Sequence, residues 1–363
     1  MGVLRLLLAL VVATDHFRNE VLNPLGLYLP VEYQFGLNAG FAVMLFYTIS
    51  GFLISTGLHR KYPETLAGTL RFYRSRFVRI FSLYWPVIAL IFAFVPTARE
   101  AFLAASLPDQ WTSIFLLGTD WRLQFTNYPN LNWNSVVFAM GQTWTLSAEL
   151  TFYILAPFIL RSLWAAWTLL ILSACTRAFF VHKLGYDVIW TYCFLPSTFV
   201  FFLLGHMTRM AADRWGMLRK PFLGVGLLIA SIAALLLGNY AEWDGWRFWA
   251  MTLCFAAALP SIFEATKNNR LMNALGDLSY PVYIIHFLLI IELVRLNFWN
   301  ALYRLVPSGS AVPLVAAMLI VALMVAWFLH RFVERPVAKL LGRILGAKEV
   351  PSGVPLYQSI TIR

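Results

Sequence analysis

The sequence is poor in charge and in cysteine, and both shortages narrow the classes of protein that it can encode. Only 12% of its 363 residues are charged, whereas 60% are hydrophobic. A soluble chain of this length needs far more charge to cover its surface, so a soluble enzyme is excluded. The three cysteines, Cys175, Cys193 and Cys254, lie in apolar segments without CxxC spacing. Neither a disulfide framework nor a metal site is therefore expected.

Several sequence signatures are missing as well. The chain contains no GxSxG nucleophile motif and no HExxH zinc motif, which argues against two large classes of hydrolase. It has no internal repeat and no inverted pair of broken helices, which argues against a repeat-type transporter. The net charge of +11 is no sign of nucleic-acid binding here, because an excess of Lys and Arg in a membrane protein usually sets topology.

What the sequence has instead is a series of apolar runs of about 18–20 residues, the length that crosses a bilayer as a helix. The runs predict an all-α, polytopic integral membrane protein with about ten transmembrane helices. One transmembrane domain is expected over residues 1–340 and a short cytoplasmic tail over 341–363. The first run is expected to be a retained helix and not a cleaved signal peptide. The predicted spans are 3–17, 39–58, 80–97, 142–160, 163–181, 190–208, 221–238, 247–264, 279–297 and 313–331.

Basic residues are distributed unevenly between the connections. Placing the N-terminus in the cytoplasm puts 20 of the 28 Lys and Arg residues on the cytoplasmic side. The positive-inside rule therefore predicts that both termini are cytoplasmic and that the number of spans is even.

The first span carries an arginine and a histidine, Arg5 and His16, separated by ten mostly apolar residues. Eleven helical steps place both side chains on one face, roughly 16 Å apart along the axis. Two interpretations stay open from spacing alone. In the first, Arg5 is a topology signal and His16 is an interfacial residue. In the second, the pair belongs to a functional site together with the adjacent Asp15.

Other ionisable side chains inside predicted spans are costly and indicate function by default. Glu149 has no charged neighbour one helical turn away, so its partner must come from another helix, with His16 or Arg177 as candidates. A carboxylate beside a histidine stabilises the imidazolium that forms when the histidine acts as a general base. Glu292 and Arg295 are three residues apart and can simply neutralise each other.

Four arginines recur with aromatic residues in the predicted 59–79 loop, at positions 71, 74, 76 and 79. They are compatible with a topology signal that attracts anionic lipids. They are equally compatible with a clamp for phosphate groups, because guanidinium groups bind phosphate in a bidentate manner.

Six stretches in this order resemble the membrane acyltransferase-3 family, whose members O-acylate surface glycans and related molecules. They are Arg5-x10-His16, MLFYTISGFLI at 44–54, FYRSRFVRIFSLYW at 72–85, GQTWTLSAELTFYILAP at 141–157, LGDLSYPVYIIHF at 275–287 and FVERP at 332–336. Each stretch is weak alone, but together they cover nearly the whole chain.

The resemblance implies an acyl-CoA-dependent O-acyltransferase, usually an acetyltransferase, in which the residue matching His16 is essential. Glu149 matches the acidic position of the family, although Leu150 follows where the family often has a second acidic residue. The residues that the resemblance assigns to the donor are Arg5, Arg74, Arg76 and Arg79.

The resulting hypothesis is transfer of an acetyl group from cytoplasmic acetyl-CoA to a hydroxyl of a carbohydrate or lipid-linked glycan at the outer face of a bacterial inner membrane. Acetyl-CoA is a co-substrate, and no permanently bound cofactor, metal or nucleic-acid partner is expected. His16 is expected to be the general base, or alternatively to carry the acetyl group, and Glu149 to orient its ring. His286 is expected near the donor, in the cytoplasmic half of its span. Further residues expected to bind substrate or to support the site are Asp15, Ser50, Trp144, Tyr153, Arg177 and Ser279.

Two other functions remain compatible with the sequence. A carrier or flippase for a lipid-linked sugar would line its path with the intramembrane charges. The other large family of membrane O-acyltransferases uses a histidine deep in an apolar run, which here would be His286, but its remaining motifs are missing.

Overall fold

The structure is a computed structural model that describes residues 1–27, 38–125, 140–236, 244–305 and 310–346. Every regular element in these ranges is helical, which confirms the predicted all-α class. Most of the predicted tail, residues 347–363, lies outside the described residues.

The described part of the chain forms sixteen α-helices, and each predicted span overlaps at least one of them. They are α1 (Gly2–Phe17), α2 (Ala39–Lys61), α3 (Leu66–Phe94), α4 (Pro96–Ala104), α5 (Leu107–Phe115), α6 (Thr119–Phe125), α7 (Trp144–Ile159), α8 (Leu163–Leu184), α9 (Leu195–Arg214), α10 (Pro221–Leu236), α11 (Trp246–Thr266), α12 (Arg270–Asp277), α13 (Ser279–Arg295), α14 (Phe298–Tyr303), α15 (Ala311–Leu329) and α16 (Arg335–Ile344).

Six helical segments of the described chain are long and apolar enough to cross a bilayer. They are Ala39–Lys61, Leu66–Phe94, Leu163–Leu184, Trp246–Thr266, Arg270–Arg295 and Ala311–Ile344. These segments identify an integral membrane protein. The predicted total of about ten crossings and the cytoplasmic location of both termini stay predictions.

The predicted 59–79 loop is wrong, because α3 already begins at Leu66. The side chain of Thr65 accepts a hydrogen bond from the backbone N–H of Gly68 at 3.1 Å, which caps the first turn. Hydropathy alone predicts a loop for the basic residues 71–79. As a helix, however, this segment is amphipathic. Arg71 and Arg74 are exposed on α3, and Arg76 is buried.

Close helix contacts in the core depend on glycine. A Cβ atom added to Gly51 on α2 would collide with the backbone of Phe202 on α9, and one added to Gly205 would collide with that of Thr48. Small residues allow two apolar helices to approach at backbone distance, where dispersion contacts hold them without a hydrophobic driving force. This packing positions α2, which contributes a wall to the cavity described below.

Helix α1 packs against α12 and α13. It runs parallel to α13, because Gly2 lies beside Gly276, just before α13, and His16 lies beside His286 further along. A Cβ atom at Gly276 would collide with the backbone of Gly2, so the two helices touch where α1 begins. At the other end, Asp15 accepts a hydrogen bond from the backbone N–H of Ala39 at 3.1 Å, which ties the end of α1 to the first turn of α2.

Candidate functional site

The side chains of His16 and His286 contact each other inside the helix bundle. Nδ1 of His16 lies 2.9 Å from Nε2 of His286. The two rings are stacked, with centroids 5.1 Å apart and planes at 19°. The edge of Phe287 closes one side of the His16 ring at 5.3 Å. The two imidazole rings therefore form a directly contacting pair.

The structure places His286 against His16, and its expected location near the donor stays a prediction. Helix α1 begins beside Gly276, near the end of α12. Because α13 follows α12 directly, the beginning of α1 lies just before the beginning of α13. Counted from that level, His286 lies roughly three turns along its helical segment, and His16 lies about four turns along α1. Both histidines are thereby brought to a similar depth.

A cavity opens closer to the beginning of α1. Its polar wall contains Arg5 from α1 and Glu149 from α7, so one cationic and one acidic side chain face the same space. The other lining residues are Val43, Phe46, Tyr47, Ser50, Thr145, Leu146, Ser279, Tyr280 and Tyr283.

Glu149 is held by two hydroxyl groups and not by a histidine. Ser50 donates to Oε1 of Glu149 at 2.8 Å, and the hydroxyl of Tyr153, one turn further along α7, donates to the same oxygen. The predicted pairing with His16 is therefore replaced by contacts to Ser50 and Tyr153. The reason is depth: Glu149 shares its cavity with Arg5, and His16 lies roughly 16 Å further along α1.

Two arginines of α3, Arg76 and Arg79, pack against tyrosine rings near this cavity. The guanidinium carbon of Arg76 lies 5.8 Å from the ring centroid of Tyr153. That of Arg79 lies 5.1 Å from the ring centroid of Tyr280. Two guanidinium groups of α3 thus lie against tyrosine rings near the cavity, and Arg74 is exposed on the same helix.

Arg79 also takes part in a buried ionic network with the FVERP stretch. Its Nη1 donates to Oε1 of Glu334 at 2.8 Å. Oε2 of the same carboxylate lies 2.7 Å from Nδ1 of His330, and Nε of Arg335 donates to Nε2 of His330 at 3.0 Å. A π-helical turn over His330–Glu334 directs the Glu334 carboxylate inward. Arg79 therefore has a partner that the sequence pattern did not reveal.

Arg177 lies in a separate cluster. It is 1% exposed and forms a two-point ion pair with Asp244, with Nη2 to Oδ2 at 2.8 Å. Its Nη1 donates to the carbonyl of Thr191 at 2.6 Å, and its guanidinium stacks on Phe201 at 5.0 Å. These contacts join four parts of the chain, and none of them involves Glu149.

The remaining predicted residues are divided between the cavity and its surroundings. Ser279 lines the cavity and donates to the carbonyl of Gly276 at 2.7 Å. The ring of Trp144 packs edge-on against Tyr192 at 4.9 Å. Asp15 pairs with Arg18 besides capping α2.

Sequence reasoning missed Tyr283, which connects the cavity to the histidine pair. Its hydroxyl lies 2.6 Å from Oγ1 of Thr145, and both residues line the cavity. Its ring centroid lies 5.8 Å from that of His286, three residues further along α13. The spacing of tyrosine and histidine in YIIH, one helical turn, is the signal that could have found it.

Tyr47 was missed as well. It is 3% exposed, lines the cavity, and its hydroxyl has no hydrogen-bond partner among the described residues. A buried hydroxyl without a partner is costly, so it is available to a bound ligand. In the described part of the chain no group of three His, Cys, Asp or Glu side chains gathers to hold a metal ion.

Comparisons with known proteins agree on one activity class. A family model described as an acyltransferase domain matches residues 1–331. Acyltransferase MdmB of Streptomyces mycarofaciens is 25% identical over 335 residues, which cover 83% of this chain and 81% of that protein. No solved structure matches the chain.

Proposed function

The chain belongs to the acyltransferase-3 family, and from that premise we propose that it moves an acetyl group from cytoplasmic acetyl-CoA to an outer-face hydroxyl. The acceptor in this proposal is a carbohydrate or glycolipid at the inner membrane of a bacterium. Membership in the family and six apolar helices make the protein a membrane acyltransferase. The donor, the acyl group, the acceptor and the roles of individual residues belong to the proposal.

One observation carries the proposal: a cavity lined by Arg5 is linked through Tyr283 to a pair of histidines inside the helix bundle. Arg5 lines the cavity, and Arg74 is exposed on α3. Clustered guanidinium groups bind phosphates through charge-assisted hydrogen bonds. CoA presents phosphates at one end and a thioester at the other, so a basic entrance and a distant base suit its length.

In the proposed reaction, the phosphates of acetyl-CoA bind at the exposed basic surface of α3, which includes Arg74. The pantetheine arm enters the cavity between Arg5 and Glu149 and brings the thioester towards Tyr283. Tyr47 supplies an unpaired hydroxyl along this path. Glu149, fixed by Ser50 and Tyr153, keeps the wall polar and its charge balances that of Arg5.

The chemical step moves the acetyl group directly from the sulfur of CoA to the oxygen of the acceptor hydroxyl. His16 removes the proton of the acceptor hydroxyl while that oxygen attacks the thioester carbonyl carbon. A carbon–oxygen bond forms, the carbon–sulfur bond breaks, and the thiolate of CoA takes the proton back from the His16 imidazolium. The products are the acetylated acceptor and CoA with a free thiol.

The proposal is tested with the purified protein in proteoliposomes that contain crude bacterial envelope glycan. Acetyl-CoA is added on one side, release of free thiol is followed, and the glycan is analysed by mass spectrometry. We expect thiol release that depends on the glycan and an added acetyl mass on it. Thiol release without any acetylated product, or none with any envelope preparation, would refute acetyl transfer to a glycan. Mass analysis of surface polysaccharide from a deletion strain then identifies the acceptor.

A further inference from the structure

The contact between His16 and His286 determines which nitrogen atoms carry protons. We infer that His286 is a positioning residue, which holds His16 in the tautomer that is protonated at Nδ1. In that tautomer Nε2 of His16 has the free lone pair. The chemical meaning of this inference rests on the proposed function, because it identifies Nε2 as the atom that removes the proton of the acceptor.

A backbone carbonyl of α13 fixes the proton of His286. Nδ1 of His286 lies 3.1 Å from the carbonyl oxygen of Val282, one helical turn earlier. A carbonyl oxygen only accepts hydrogen bonds, so Nδ1 of His286 must carry a proton. Because His286 is fully buried and a buried charge is costly, the ring is neutral and has one N–H only. Its Nε2 is therefore an acceptor.

The acceptor Nε2 of His286 determines which nitrogen of His16 carries the proton. Nε2 of His286 faces Nδ1 of His16 at 2.9 Å. Two lone pairs at that distance would repel, so Nδ1 of His16 must carry a proton and donate it. The ring of His16 is then protonated on the side facing His286, and its lone pair lies on Nε2, on the other side of the ring.

Exposure agrees with this assignment of roles. His16 is partly exposed and His286 is completely buried. The lone pair therefore belongs to the ring that an acceptor hydroxyl can reach. His286 contacts His16 and the backbone, so it acts on the reaction through the orientation and tautomer of its neighbour.

The arrangement resembles a hydrolase triad in geometry but not in charge. In a triad a carboxylate receives the Nδ1–H bond of the catalytic histidine and stabilises the imidazolium strongly. Here a neutral imidazole receives the bond. It fixes the tautomer of the ring but stabilises the positive charge less, which favours return of the proton to the leaving thiolate.

Solid-state NMR of the full-length protein in lipid nanodiscs, labelled with ¹⁵N-histidine, tests the inference directly. The signals of His16 are assigned by subtraction of the His16→Gln spectrum. His182 is exposed at the end of α8, so His182→Gln is the matched control and should leave the paired signals unchanged. We expect a protonated Nδ1 and an unprotonated Nε2 in His16. A proton on Nε2 of His16, in either the neutral or the charged ring, would overturn the inference.

Kinetics of two His286 variants provide a second test. In His286→Gln an amide oxygen can replace Nε2 as the acceptor, whereas His286→Leu removes the acceptor. We expect His286→Leu to lower kcat by about 100-fold, the lower limit of what a general base contributes, with the KM for acetyl-CoA unchanged. His286→Gln should retain kcat within about tenfold. Equal losses in both variants would contradict a positioning role.

The outcomes separate this inference from the proposed function. If the NMR spectrum shows the expected tautomer but His16→Ala still transfers acetyl groups, the proposed base is wrong and the proton assignment stands. If His16→Ala is inactive but Nε2 of His16 is protonated, the proposed function stands and the positioning role of His286 is wrong.

Discussion

Replacing Arg79 by methionine distinguishes a structural arginine from one that binds the donor. The side chain of Arg79 is 14% exposed and that of Glu334 is 0% exposed. Arg79→Met removes the 2.8 Å bond to Glu334 and the contact with the ring of Tyr280. The Glu334 carboxylate then stays buried with only the bond to His330. Loss of one partner of a buried ion pair costs about 3–5 kcal/mol.

The measurement is thermal unfolding of the purified protein in detergent, followed by intrinsic tryptophan fluorescence. A loss of that size should lower the midpoint by roughly 5–10 °C. Arg71→Met, which removes an exposed arginine from the same helix, is the matched control and should leave the midpoint unchanged. The double variant Arg79→Met/Glu334→Gln removes both charges and should recover most of the lost stability.

Two results would refute this reasoning. An unfolding midpoint of Arg79→Met equal to that of Arg71→Met would show that the pair with Glu334 contributes little. A raised KM for acetyl-CoA at an unchanged midpoint would show that Arg79 binds the donor, as the sequence predicted.

Three further predictions concern the cavity and its surroundings. Arg74→Ala should raise the KM for acetyl-CoA by about tenfold, the effect of losing roughly 1.4 kcal/mol of binding, without a change in thermal midpoint; an unchanged KM would remove the exposed surface of α3 from the donor site. Tyr153→Phe removes one of the two hydroxyl donors to Glu149, so steady-state kinetics should show kcat falling by about tenfold or more; full activity would mean that this hydrogen bond does not support the site. Arg177→Met should lower the unfolding midpoint by several degrees because Asp244 stays buried and unpaired, whereas the KM of the folded fraction should not change; a changed KM with normal stability would place Arg177 in the reaction.

The long helices could be predicted from the sequence because each contains a long apolar run, whereas short helices such as α12 and α16 could not. The beginning of α3 could not, since hydropathy alone treats a basic stretch as a loop. The signal was local and physical: Thr65 as a helix cap, and arginines at positions whose spacing buries Arg76 and exposes Arg74.

Which residues line the site was easier to predict than which of their side chains contact each other. Arg5, Glu149, Ser50 and Ser279 were expected in the site and line one cavity. The contact between His16 and His286 was missed because 270 residues separate them in the chain. The short helix α12 precedes α13 and brings His286 close to the level of His16, which the ends of the predicted spans did not reveal.

The central claim is that His16 is the base of an acyl transfer, and one variant tests it most directly. His16→Ala in proteoliposomes, with acetyl-CoA and crude envelope glycan, should bind the donor and keep the thermal midpoint of the natural protein within a few degrees. Transfer of acetyl groups should fall by at least about 100-fold, as expected for loss of a general base. Retained acetyl transfer by a folded His16→Ala protein would contradict the account.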